Sequence, residues 1–316
     1  MAYTAGDTIL DDEYNAFVNS SSDPYGYNHF AGPGSGVYGL NQTTISTVSA
    51  GGTINASSWN SLFTGLDNIA NHTNTSITAS SVSAGDTIAI RAALITDLAN
   101  LAAAVAGGST GATAISTNAV GSSTNAGTWN GTSTIERSVT FANNDTMRAF
   151  FNAGGFIRIN PGTSGSTDGD KDTVFEQLEA AMGNVDLKAH STTRSGTGET
   201  LTTNGLANGF HDLGTSYTVL LKLTSDNSGY TSNTLEISAK LDAAVGSATV
   251  LTIKSVAVDA DNDDTYTEGN TSGVPVDPNK APAMVLALTE HFPTNGEGLA
   301  SNIQVNTNAE VSNSTT

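Results

Sequence analysis

The chain contains no cysteine. Disulfides, thiolate catalysis and cysteine-based zinc sites are therefore excluded. It is also short of basic residues: 11 Lys and Arg stand against 30 Asp and Glu, for a net charge of -19. Arg91 is the only basic residue in the first 130 positions. Such a surface repels phosphate, which argues against binding nucleic acid or an anionic membrane. Charged residues make up 13% of the chain and aromatics 6%. No apolar run reaches the roughly 18 residues of a membrane-spanning helix. The nearest, Ile88 to Val105, is broken by Arg91, Asp97 and Asn100. The N-terminus has neither a basic start nor an apolar stretch, so no secretory signal is expected.

Hydroxyls, carboxamides and glycine take the place of ion pairs. Ser, Thr, Asn and Gly account for 142 of 316 residues. This composition suits a protein that works outside cells, yet no export signal is read. Two resolutions are open: a virion protein made in the host cytoplasm and freed by lysis, or a substrate of a signal-less secretion system.

A repeat runs through the first third. Ala5-Gly-Asp-Thr-Ile9 precedes Tyr14-Asn15, Ala50-Gly-Gly-Thr-Ile54 precedes Trp59-Asn60, and Ala84-Gly-Asp-Thr-Ile88 precedes Leu94. The 45- and 34-residue spacings indicate one unit with variable loops. In each, glycine permits a turn, Thr-Ile is a short extended step, and Asp11 or Asn55 caps a helix. The helices carry apolar stripes at i, i+3 and i+4 spacing. The stripes are Tyr14, Phe17 and Val18; Trp59, Leu62, Phe63, Leu66 and Ile69; and Leu94, Leu98, Leu101 and Val105.

From Ile135 the pattern becomes short β-branched runs separated by Gly and Asn. Strands are expected at Ser138–Phe141, Met147–Phe151, Phe156–Ile159, Tyr217–Leu223, Thr234–Ala239 and 249–258, with Met284–Thr289 and Ile303–Val305 as further candidates. One helix interrupts, with Thr173 to Glu176 read as a capping box and Gly183 as its stop. The expected class is α+β, a helical repeat module followed by a mainly antiparallel β-sandwich or jelly-roll domain. The expected divisions are 1–110 for the module, 111–134 for a Ser/Thr/Gly-rich linker, and 135–316 for the β-domain, with one helix at 172–182 and an extended C-terminal tail.

Three segments carry a resemblance: Tyr3 to Asn15, Ser49 to Thr73, and Met147-Arg-Ala-Phe-Phe-Asn-Ala-Gly-Gly-Phe-Ile-Arg-Ile159. Together they resemble a group of virion structural proteins of marine tailed phages, notably cyanophages. The resemblance covers most of residues 1–160 and, more loosely, the strands to about 260. It implies a structural part of the tail, neck or fibres, and brings no catalytic residues.

Individual motifs point to little chemistry. Asp259, Asp261 and Asp263 have the alternation of a calcium loop. However, its glycine position holds Asp264 and its closing glutamate position holds Asn270, so an acidic turn is the plainer reading. Thr167 to Asp172 is a weaker version, with Asp172 better used as a helix N-terminal charge. Gly34-Ser-Gly36-Val-Tyr-Gly39 matches a dinucleotide fingerprint but lacks the strand and helix that give it a mechanism. Tyr25, Tyr27, Phe30 and Tyr38 lie in the same glycine-rich loop, where they either stack on sugars or partners or tuck onto their own domain. The five histidines show no ligand spacing, and no nucleophile elbow or phosphate loop occurs.

No enzyme, metal or cofactor is therefore expected beyond a weak calcium candidate. The expected function is a virion component that assembles with itself and other virion proteins. Alternatives are a host-glycan-binding fibre module, a capsid decoration protein and, with no motif behind it, a virion hydrolase.

Overall fold

The computed structural model describes residues 11–84, 91–111, 115–125, 129, 131–165, 170–228, 230–260, 282–293, 299 and 307–315. The chain divides into two compact units. One comprises Met1–Ser116, Ala142–Gly155 and Phe292–Val305; the other comprises Thr117–Phe141, Phe156–His291 and Asn306–Thr316.

The first unit is helical. It contains α1 (Asp11–Asn19), α2 (Tyr27–Phe30), α3 (Ala56–Thr73), α4 (Arg91–Ala106) and α5 (Asn144–Asn152). The capping amide expected before α3 is present, because the Asn55 side chain accepts from the Ser58 N–H. Gly51, at φ 74°, makes the turn of the repeat that precedes it. The predicted stripes of α1, α3 and α4 all enter one core. Trp59 is its hub, meeting Tyr14 edge-on at 5.3 Å, Phe17 at 6.0 Å and Phe63 at 5.8 Å. The third repeat's opening, Gly85 to Ile88, lies outside the described residues.

The extended chain between helices is held by side-chain amides. Asn15 donates to the Val48 carbonyl and accepts its N–H, both at 2.8 Å. Asn60 does the same to Val82, at 2.9 and 2.8 Å. Asn28 does so to Ile45, at 2.8 Å each. A carboxamide presents the same donor–acceptor pair as a neighbouring strand, so each clamp satisfies backbone groups that no ladder reaches. Val48 and Val82 stand just before Ala50 and Ala84. Hence the asparagine of one repeat fixes the entry to the next. In the third repeat Leu94 stands near the aromatic position and Ile95 follows it; buried Asp97 accepts from the N–H groups of Thr78 and Ala79.

The second unit is a β-sandwich of two antiparallel sheets, which bears out the α+β expectation. One sheet has the order β1 (Ile115–Thr124), β10 (Ala283–Pro293), β3 (Phe156–Ser164), β4 (Val185–Leu187) and β5 (Thr192–Arg194). The other has the order β11 (Thr307–Thr315), β2 (Thr132–Thr140), β9 (Val250–Val258), β8 (Thr234–Leu241), β7 (Thr218–Thr224) and β6 (Thr200–Asn204). Inward side chains include Ile157, Ile159, Leu235, Ile237, Leu251, Ile253, Leu286 and Leu288. Helix α6 (Asp170–Met182) contacts β3 of one sheet and β7 and β8 of the other. It buries Val174, Phe175, Leu178 and Met182 and ends at Gly183, whose φ is 60°. The Trp129 ring lies 4.9 Å from that of Phe175.

Several expectations are corrected. Met147–Phe151 is helix, not strand. The Asn143 side chain caps α5 by accepting from the Thr146 N–H at 2.8 Å, and Met147, Phe150 and Phe151 share the buried face. Helical spacing and the cap outweigh the β-preference of phenylalanine. The segment 111–134 is not only a linker, because it supplies β1 and the start of β2. Residues 142–155 return to the helical unit rather than staying with the β-domain. Helix α6 begins at Asp170, so Thr173 lies within it rather than capping it. The C-terminal stretch 307–315 is an edge strand on β2 rather than a tail. Ile303–Val305 lies outside the described residues.

Three of the four edge strands of the sandwich carry a backbone irregularity. Ladder register shifts between Leu201 and Thr203 on β6 and between Glu310 and Ser312 on β11, and Gly121 on β1 has φ 117°. The exposed large apolar side chains among the described residues, Ile115, Leu201 and Val311, lie on these three strands. Bulges twist an edge away from added strands.

Candidate functional site

The most specific part of the resemblance, Arg148 to Arg158, is used internally. Arg148 is buried and reaches the Pro33 carbonyl, Asn144 and Asp145. The Asn152 amide donates to the Gly39 carbonyl at 3.1 Å. Together they pin α5 to the loop at residues 33–39. Arg158, in the β-unit, makes a two-pronged pair with Asp186, at 2.7 and 2.9 Å. That hydrogen-bonded carboxylate raises the guanidinium pKa further.

The glycine-rich loop is folded, not a phosphate cradle. Gly34 and Gly39 have positive φ and pack on each other's backbone. The element before them is the one-turn helix α2, not a strand. Of its four aromatics, Tyr27 and Phe30 are core residues at 5% and 0% exposure, which corrects the reading of them as contact residues. Burial pushes the Tyr27 phenol up to about 12. Tyr25 and Tyr38 are half-buried and stack with His29, with Tyr25–His29 at 4.4 Å and Tyr25–Tyr38 at 4.7 Å. Burial and the Tyr25 hydrogen bond raise Tyr38, while burial lowers His29. The rings thus satisfy one another rather than standing open for a sugar.

Asp259 is fully buried and forms an ion pair with the buried Lys171. A carboxylate already neutralised by an ammonium is poorly placed as a calcium ligand. Asp261 and Asp263 lie outside the described residues. Asp172 is buried and stands in the first turn of α6, where a carboxylate meets the positive end of the helix dipole. His190 and His211 stack at 4.9 Å, a pairing that their 21-residue separation hid. His291 stacks on Phe156 at 4.6 Å, and its pKa is lowered chiefly by burial and also by Arg158. Among the described residues no three His, Asp or Glu side chains converge as metal ligands.

What remains open is a groove in the helical unit, about 510 Å³ in volume. One wall is the extended chain at Thr43–Ser46, and the other is the polar face of α3. Its floor is the pair Tyr14 and Tyr27. Tyr14 donates to the Ser58 carbonyl at 3.1 Å. Gly65 allows Tyr27 to lie flat against α3, since a Cβ there would stand 2.7 Å from the ring. The sequence did signal this wall: Ser57, Ser61, Thr64 and Asn68 follow helical spacing opposite the apolar stripe.

No family model matches the chain, and no curated protein or solved structure matches it either.

Proposed function

We propose that the protein is a structural component of a tailed-phage virion, of the tail, neck or fibres, which assembles with copies of itself and with other virion proteins. The observation that carries this reading is the amide-clamped repeat. Helices and extended arms are joined by neutral hydrogen bonds from Asn15, Asn28 and Asn60, which depend little on salt. Such a unit is built to hold its shape as a part. The likeness of residues 3–15, 49–73 and 147–159 to virion proteins supports it, as does the cysteine-free, acidic, hydroxyl-rich composition. The chain would be made in the host cytoplasm and released by lysis with the particle.

The test is to purify particles on a density gradient and quantify the chain by mass spectrometry. A fixed copy number per particle supports the reading. A chain that stays in the lysate while particles band without it overturns the reading. Labelling particles with an antibody then separates tail, neck or fibre from capsid decoration.

A further inference from the structure

The buried pair Lys171 and Asp259 is arranged to react. We propose that it condenses to an intramolecular isopeptide bond, which joins the first turn of α6 to the residue that follows β9.

Three observations carry this. First, the pair is dry: the Lys171 side chain is 5% exposed and that of Asp259 0%. Taking both charges out of water is costly, and their attraction offsets that cost only when further hydrogen bonds satisfy the carboxylate. Second, those hydrogen bonds are missing. Among the described residues neither Asp259 carboxylate oxygen has a hydrogen-bond partner, although Oδ2 touches the Lys171 ammonium. The nitrogen therefore meets the carboxylate outside hydrogen-bonding geometry. Third, the backbone holds both groups in place. The Asp259 N–H donates to the Gly131 carbonyl at 2.7 Å, and the Ala260 N–H donates to the Asn233 side chain at 2.9 Å. Lys171 is fixed by α6. Groups already held in contact lose little freedom on reacting. Asn233 is itself fully buried, and among the described residues its Nδ2 has no hydrogen-bond partner, so an unused neutral donor is held beside the Asp259–Ala260 backbone.

The step balances without an oxidant or co-reactant. One proton passes from the Lys171 ammonium to the Asp259 carboxylate, which leaves an amine against a carboxylic acid, the neutral forms that a dry site favours. The Nζ lone pair attacks Cγ. The Nζ–Cγ bond forms, the bond from Cγ to the acid's OH breaks, and that OH leaves as water with one proton from Nζ. The product is a neutral secondary amide, and two buried charges are gone. The bond ties residues 88 positions apart. It also fixes α6, which contacts both sheets, to the end of β9. A chain without cysteine thereby gains the kind of cross-link that a disulfide supplies elsewhere.

This inference goes beyond the structural role and does not rest on it. The bond can form in a chain that never joins a particle, and a particle component can lack it.

The experiment uses the full chain, purified folded and held at neutral pH until its mass is constant. Intact-mass spectrometry under denaturing conditions is expected to find most molecules lighter than the sequence by one water. Protease digestion with tandem mass spectrometry is expected to find a branched species in which the Lys171 and Asp259 peptides are joined. Lys171→Met and the Lys171→Met/Asp259→Leu double variant are expected to keep the full sequence mass. An aspartate can also lose water by cyclising onto its own backbone, but that loss would persist in K171M and give no branched peptide. The proposal is overturned if the parent has the full sequence mass, if the water loss persists in K171M, or if molecules that have lost water release the two peptides unjoined. Should a variant fail to fold, the parent's mass and its branched peptide decide the matter alone.

Discussion

Glu290 is the side chain most at odds with its surroundings. It continues the inward series Met284, Leu286 and Leu288 on β10 and is 2% exposed. Burial raises its carboxyl to about 7, opposed by a hydrogen bond with Asn118. The folded state therefore holds a proton that the unfolded chain releases near 4.5. The stabilisation from the buried neutral acid is fully present below about 4.5 and is lost as pH rises through about 7. A rise from 4.5 to about 7 corresponds to about 3 kcal/mol, at roughly 1.4 kcal/mol per pH unit. Glu290→Gln keeps the shape and removes the titration. The variant should match the parent at pH 4 and exceed it by up to about 3 kcal/mol at pH 8. Urea unfolding followed by Trp129 fluorescence in a Trp59→Phe background measures this in the β-unit. Parallel stability curves for parent and variant from pH 4 to 8 would refute the reasoning.

Other consequences are as direct. Asn60→Ala removes two hydrogen bonds to Val82 and should cost about 1–3 kcal/mol, read from Trp59 fluorescence in urea. Asn60→Asp, which keeps the acceptor and loses the donor, should fall between. Lys171→Met strands the buried Asp259, which should cost about 3–5 kcal/mol, with the share due to that stranded charge recovered in the Lys171→Met/Asp259→Leu double variant. Thermal melts of the three proteins decide this, and a double variant no better than the single contradicts it. Gly65→Ala should lose about 1–3 kcal/mol through contact with the Tyr27 ring, measured by urea midpoint. An unchanged midpoint would mean that the ring moves freely.

The helical stripes were legible because period and capping agree: Trp59 to Ile69 and Leu94 to Val105 repeat at helical spacing, and Asn55 stands where a cap belongs. Most strands from Phe156 to Val258 were legible for the same reason, from short β-branched runs set off by glycine. Met147–Phe151 misled because five residues are too few to separate periods, and the cap at Asn143 sat outside the run. The strand at 115–124 was hidden by its small side chains, since edge strands need little apolar content. The amide clamps were present in the repeat as Tyr14-Asn15 and Trp59-Asn60. Their partners, Val48 and Val82, lie 33 and 22 residues away, and a repeat gives no distance information. Tyr27 and Phe30 looked like loop residues because a one-turn helix has no periodicity. The pairing of Lys171 with Asp259 joins residues 88 positions apart, beyond any local pattern.

The central claim is that this chain is a part of a particle, and electron cryo-microscopy of purified particles tests it most directly. The account predicts density into which the clamped helical unit and the β-sandwich fit as separate bodies, repeated by the symmetry of the tail, neck or fibre. Particles whose density is fully explained by other chains, with this protein recovered only as a monomer from the lysate, would contradict it.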